Sequence, residues 1–378
     1  MEEYNNPYNL PPVQPGNQSG KPKKPHQKLV AWIKSHKKAS IATAVALMIL
    51  IGAGITFAVI NSQNKPEPTV VKKEKPKPKP APVYYSPLTG AKVADEAATK
   101  QPVTAIMIEN SPDARPQSGL KDSGVVFEAI AEGGITRFLA LYQQEKPQLV
   151  GPVRSLRPYY VDWLAPFNAS VAHVGGSKAA LDEVRNGSYR DIDQFFNPGT
   201  YWRANDRYAP HNVYTNFEKL DALNSQKGYT SSTFEGFERK DDAPNPAPNA
   251  TSITATVSSA LYNSSYTYDA TSNSYLRSQG GAPHNDREAG QINPKAVIVA
   301  KANMTHVMED GYRESIQTNG SGTAYIFQDG TVVEGKWHKP SRGEQMFFTT
   351  VEGEKVKLNR GQTWITFAPE GKGGATWQ

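Results

Sequence analysis

No cysteine occurs among the 378 residues. That absence excludes disulfides, thiolate metal sites, cysteine nucleophiles and a lipid anchor carried on cysteine. A second absence is local: from Ala39 to Ile60 there is no charged residue. Such a stretch, at 1.5 Å rise per residue, forms roughly 33 Å of helix, and a bilayer's hydrocarbon core needs about 30 Å. A single transmembrane helix over 39–60 is predicted, with the lipid bilayer as partner. The apolar run is too long, and starts too far into the chain, for a cleaved signal peptide. Lys34, Lys37 and Lys38 crowd one end, whereas most lysines on the other side begin at Lys72. That placement favours a cytoplasmic amino terminus and an extracytoplasmic carboxyl-terminal domain.

Basic charge is also scarce where it would matter for nucleic acid. The first 80 residues hold 13 Lys and 4 Glu, leaving 29 basic and 32 acidic residues downstream. The sequence pI of about 9.1 therefore belongs to the tail and linker. No nucleic-acid partner is expected, and attraction to anionic lipid headgroups accounts for the lysines.

The pattern divides the chain further. Residues 1–38 are rich in Pro, Asn, Gln and Lys, a composition that cannot bury enough apolar surface to order itself. Residues 61–83 include KPEPTVVKKEKPKPKPAP, expected to be an extended polyproline-like spacer. The folded region splits at RKDDAPNPAPNAT into modules at 84–240 and 252–378, with 241–251 as linker. Strands are predicted over 103–109, 125–131, 136–142 and 170–174, with helices over 178–185 and 216–223, the latter capped by Asn216. Hairpins are expected across Asp329-Gly330 and Glu352-Gly353. The fold class is α+β: a layered, sheet-rich sandwich with helices.

Charges interrupt the apolar runs between Ile106 and Gly176, and an unpaired buried charge is expensive. Three clusters are candidate ligand contacts. Glu109, Asp113 and Arg115 follow a strand in IENSPDARPQSGL. Arg154, Arg157, Tyr159, Asp162 and Trp163 lie in GPVRSLRPYYVDW, where guanidiniums suit carboxylate or phosphate and aromatics suit sugar rings. Arg203, Asp206, Arg207 and His211 gather in WRANDRYAPHNVYT. Arg137 and His173 complete the set. Histidines lack paired spacing such as H-x-x-x-H, so no metal site is expected. The nucleophile pattern G-x-S-x-G is absent around Ser177. No cofactor is indicated.

The runs IENSPDARPQSGL, EGGITRFLALYQQEKPQLVGPVRSLRPYYVDW, VAHVGGS and APHNVYT, in that order, resemble the YerB-like bacterial lipoproteins, a family of unknown function. YIFQDGTVVEGKW and LNRGQTWI are similar to its carboxyl-terminal domain, so that the likeness spans residues 84–370. The resemblance implies an extracytoplasmic domain of the bacterial envelope and a sheet-rich core of mixed layers. It carries no catalytic residues over. Those lipoproteins are anchored through a lipidated cysteine, for which the 39–60 helix would substitute here. The expected function is binding of a cell-wall ligand such as peptidoglycan, or of a wall enzyme, through an Arg and aromatic groove. The competing expectation is an envelope hydrolase acting on glycan or phosphoester, with Glu109 or Glu132 as acid or base and His173 or His211 assisting.

Overall fold

The computed structural model describes residues 36–63, 81–307 and 313–378. The expected tail up to residue 35 and the spacer over 64–80 lie outside them. Helix α1, Lys37–Gln63, contains the whole predicted span, is exposed along its length, and is long and apolar enough to cross a membrane.

The region from Ala81 onward is organised by one sheet. Its first-module strands are β1 (Thr104–Glu109), β2 (Val125–Glu132), β3 (Ile135–Tyr142), β4 (Ser170–His173) and β5 (Arg190–Asp193). The second module supplies β6 (Ser252–Thr256), β7 (Ser264–Asp269), β8 (Ser274–Gln279), β9 (Ala282–Pro283), β10 (Ala296–Ala302), β11 (Gly320–Gln328), β12 (Thr331–Lys339), β13 (Phe347–Thr350), β14 (Thr363–Pro369) and β15 (Gly374–Trp377). The ten-stranded sheet runs β13-β12-β11-β10-β14-β2-β3-β1-β4-β5. Strand β14 lies parallel to β2, with Val125 opposite Thr363 and Phe127 opposite Ile365. The two sequence modules therefore share a single sheet, and 241–251 is tied to its Asp329-Gly330 turn, where Asp329 O and Gly330 O accept from Asn245 N and Asn249 N at 3.0 Å.

Alternation of side chains builds a layer on each face. Met107, Phe127, Leu139, Ile298 and Phe367 pack against helix α2 (Pro158–Leu164). On the opposite face, Ile106, Ile108 and Phe138 meet Phe217 and Leu220 of helix α4 (Phe217–Gln226), whose cap is Asn216 as predicted; α3 is Lys178–Val184. Beside α4, the five-stranded sheet β9-β8-β7-β6-β15 lays Ile253, Tyr266 and Tyr275 on Val297, Val299 and Phe327. The architecture is sheet-rich α+β.

The expected hairpin at Asp329-Gly330 forms between β11 and β12, with both turn residues at positive φ (57° and 75°). Asn/Asp-Gly pairs adopt that conformation at little cost. The second hairpin is cut short. After Gly353 the chain makes one bridge, Lys355 to Thr349, and then Leu358–Asn359 pairs in parallel with Arg239–Lys240.

A buried polar seam joins the modules. Glu128 of β2 and Arg277 of β8 are paired at 2.8 Å with both side chains fully buried. The carboxylate also accepts from Trp364 Nε1 at 2.8 Å, Thr366 Oγ1 at 3.2 Å and Thr136 Oγ1 at 3.1 Å.

Candidate functional site

Strands β1, β2, β4, β5, β10 and β14 all point the same way, so their carboxyl ends share one edge of the sheet. Glu109, Glu132, His173 and Asp193 are the last residues of β1, β2, β4 and β5. In open sheets with parallel strands, that edge is where ligand crevices form. The chain enters the folded region at the other edge: Leu88 and Thr89 abut Gly124 just before β2, and Thr89 O accepts from Gly361 N just before β14. An eight-residue strand separates the edges by roughly 26 Å.

The segment 150–157 runs along the carboxyl edge, bonded by Arg154 N to Met107 O and by Val174 N to Arg154 O. It brings Arg154 NH2 to 2.9 Å from Glu109 Oε1. The same oxygen accepts from His211 Nδ1 at 2.8 Å and from Ser111 Oγ at 2.9 Å. Glu109 is nearly buried, with 5% of its side chain exposed, whereas Arg154 and His211 keep 24% and 22%. Glu109 Oε2 and Arg154 Nε are buried without a partner among the described residues. His211 Nε2 faces outward, 3.9 Å from the Oδ2 of the exposed Asp113. Arg207 holds that loop from outside, donating to Asp113 O at 3.0 Å and to Pro116 O. Arg115 donates to Asn110 O of its own loop at 3.0 Å and to Leu261 O of the second module at 2.9 Å.

A second centre adjoins the first. Glu132 takes Arg137 at 2.7 Å and Arg157 at 2.6 Å. Burial pushes the Glu132 carboxyl up, but the two guanidiniums outweigh it and leave the group below its ordinary range. A carboxylate held ionised in this way is a poor proton donor, which removes Glu132 as the expected general acid. Beside it opens a cleft of about 640 Å³ lined by Arg157, Pro158, Asp162, Ser177, Lys178 and Glu314, among others.

Several expected contacts are elsewhere. Trp163 does not line a groove; its ring stacks 4.2 Å from Phe367 and 5.7 Å from Phe127 in the core. Tyr159 borders the cleft, but it is buried and its hydroxyl donates to Ile130 O at 2.8 Å. The reason is the helix: Tyr159, Tyr160, Trp163 and Leu164 recur at helical spacing on the face of α2 turned to the sheet. His173 is fully buried, with Nε2 2.9 Å from Asp191 Oδ1 and Nδ1 2.7 Å from Gly175 O. It is a scaffold residue. Asp162 is bound by Arg342 and by Thr318 Oγ1 at 2.6 Å. Arg203 reaches Asn212 Oδ1 at 2.8 Å, and Asp206 pairs with Arg287 of the second module.

Among the exposed aromatics that sequence reasoning missed are Phe195 and Phe196, each 67% exposed, and Tyr208. Asp193 builds the turn that presents the two phenylalanines: its carboxylate accepts from Gly175 N at 3.0 Å and Phe195 N at 3.2 Å, and pairs with Arg185 at 2.7 Å. The signal was the Asn-Pro-Gly that follows the pair directly, a turn sequence beside a short aromatic run.

Residues 88–230 match the N-terminal domain, and residues 253–365 the C-terminal domain, of the family described as protein of unknown function DUF3048. Over 290 residues the chain is 32% identical to a Bacillus subtilis (strain 168) protein carrying the lipoprotein name YerB, covering 75% of this chain and 86% of that one. The crystal structure of YerB protein from Bacillus subtilis superposes with a TM-score of 0.70 at 29% identity, covering 78% of this chain and 99% of the other.

Proposed function

The chain belongs to the DUF3048 family, and from that membership we propose that it is a membrane-anchored envelope protein whose extracytoplasmic domain binds a cell-wall component at the carboxyl edge of its sheet. The observation that carries this reading is the convergence of Glu109, Ser111, Arg154 and His211, drawn from three separate stretches of chain, on one partly open polar centre. Arg154 at this centre, and the exposed Phe195 and Phe196 on the turn after β5, where Arg185 lies 4.8 Å from the Phe196 ring centre, supply the two kinds of contact a peptide- and sugar-bearing polymer offers: charge pairing with its carboxylates and apolar packing against its sugar faces. Helix α1 would provide the anchor that a lipidated cysteine cannot provide in a chain without cysteine. The lipoprotein name of the Bacillus relative supports that placement.

Retention on purified peptidoglycan tests the reading. Wild type is expected to be retained, and Arg154→Ala to lose about tenfold, roughly 1.4 kcal/mol, as for loss of a charge-assisted contact. Equal retention of the two would remove this centre from the account.

A further inference from the structure

We propose that His211 is a general base oriented by Glu109, and that the bound wall component is hydrolysed there at a carboxylic ester or amide. This deepens the binding reading and rests on it. An ionised carboxylate only accepts hydrogen bonds, so the 2.8 Å contact places the ring proton on His211 Nδ1. In the neutral ring, Nε2 then carries the free lone pair. Nothing among the described residues bonds to it; the closest acidic oxygen, Asp113 Oδ2, is at 3.9 Å, beyond hydrogen-bond length. A buried carboxylate fixing one imidazole nitrogen while the other faces outward is the arrangement that general-base catalysis requires.

The nucleophile follows by elimination. Ser111 Oγ lies on the Nδ1 side of the ring at 3.2 Å and donates to Glu109, so it does not face the basic nitrogen. There is no cysteine. Water is left as the attacking group. His211 Nε2 takes a proton from water as its oxygen bonds to the carbonyl carbon, and the carbonyl π pair moves onto the carbonyl oxygen. Arg154, whose guanidinium is 2.9 Å from Glu109 Oε1 and 24% exposed, is the cation that the proposal requires to reach that oxyanion. When the carbonyl reforms, the carbon–oxygen or carbon–nitrogen bond breaks, and the imidazolium returns its proton to the leaving atom.

The test is incubation of the full chain with purified peptidoglycan in ¹⁸O-water, followed by mass spectrometry of released fragments. The expected result is one ¹⁸O in a new carboxylate. His211→Ala should lower its rate by about 100-fold or more, the usual range for a lost general base. Added imidazole should restore part of that rate, which also shows that the variant is folded. Glu109→Gln should lower the rate and change its pH dependence, with Ser111, Asp113, Arg154 and Arg207 as the other polar groups around the ring. Label on a sugar carbon would overturn the bond class. Unchanged turnover in His211→Ala would overturn the assignment of the base. Retention without any label would overturn hydrolysis and leave binding intact, whereas absence of both would overturn both.

Discussion

Two carboxylate–guanidinium centres in this molecule use the same chemistry in opposite surroundings. Glu128 and Arg277 lie wholly inside the seam between the modules. Each carboxylate oxygen has donors, and the Arg277 guanidinium sits 4.5 Å from the Trp364 ring centre, with Tyr266 at 5.5 Å and Phe138 at 5.9 Å. Glu109 and Arg154 instead sit at the carboxyl edge, where one side of the group is buried and the other reaches solvent. The sealed pair holds two modules in register; the open one is the centre we propose for ligand binding, because its arginine and imidazole are partly exposed.

Breaking the sealed pair should cost most. Glu128→Ala leaves Arg277 buried without its counter-charge, and such a loss typically costs about 3–5 kcal/mol. Urea unfolding should show that drop, or loss of the cooperative transition. Arg154→Ala should do the reverse. Its stability should fall by less than for Glu128→Ala, since Arg154 is partly exposed and His211 and Ser111 still bond the nearly buried Glu109, while retention on peptidoglycan falls about tenfold. A large stability loss in Arg154→Ala would erase the distinction.

A smaller effect is expected at the aromatic turn. Phe195→Ser together with Phe196→Ser should change unfolding free energy by about 0.5 kcal/mol or less, because both rings are mostly in solvent. Retention should still fall several-fold. The smallest effect concerns Glu132. Burial raises its folded-state carboxyl, but the Arg137 and Arg157 guanidiniums outweigh that and leave it below the ordinary glutamate range, so its contribution is present above that range and is lost as pH falls through the lower folded value. Melting temperature below pH 4.5 should therefore decline less steeply in Glu132→Gln than in wild type.

Local signals were readable from the residues, and distant pairings were not. The charge-free run announced α1, Asp329-Gly330 announced its hairpin, and Asn216 announced α4, because each depends on neighbours in sequence. Glu109, Arg154 and His211 were each candidates by residue type. Their meeting depends on β1, the 150–157 segment and the 204–212 loop, separated by up to 102 residues. Trp163 was assigned to a groove although Tyr159, Tyr160, Trp163 and Leu164 already had a helix's apolar spacing. Burial decided that case, and the same spacing could have revealed it. The Glu128 and Arg277 pair spans 149 residues across the apparent module boundary, so no local pattern marks it.

Hydrogen–deuterium exchange of the full chain, with and without soluble peptidoglycan fragments, tests the central claim without altering a residue. Protection is predicted at 109–115, 154–157, 193–197 and 207–212, and no change at the sealed seam around 277–284. Unchanged exchange along the carboxyl edge, with protection elsewhere in the domain, would contradict it.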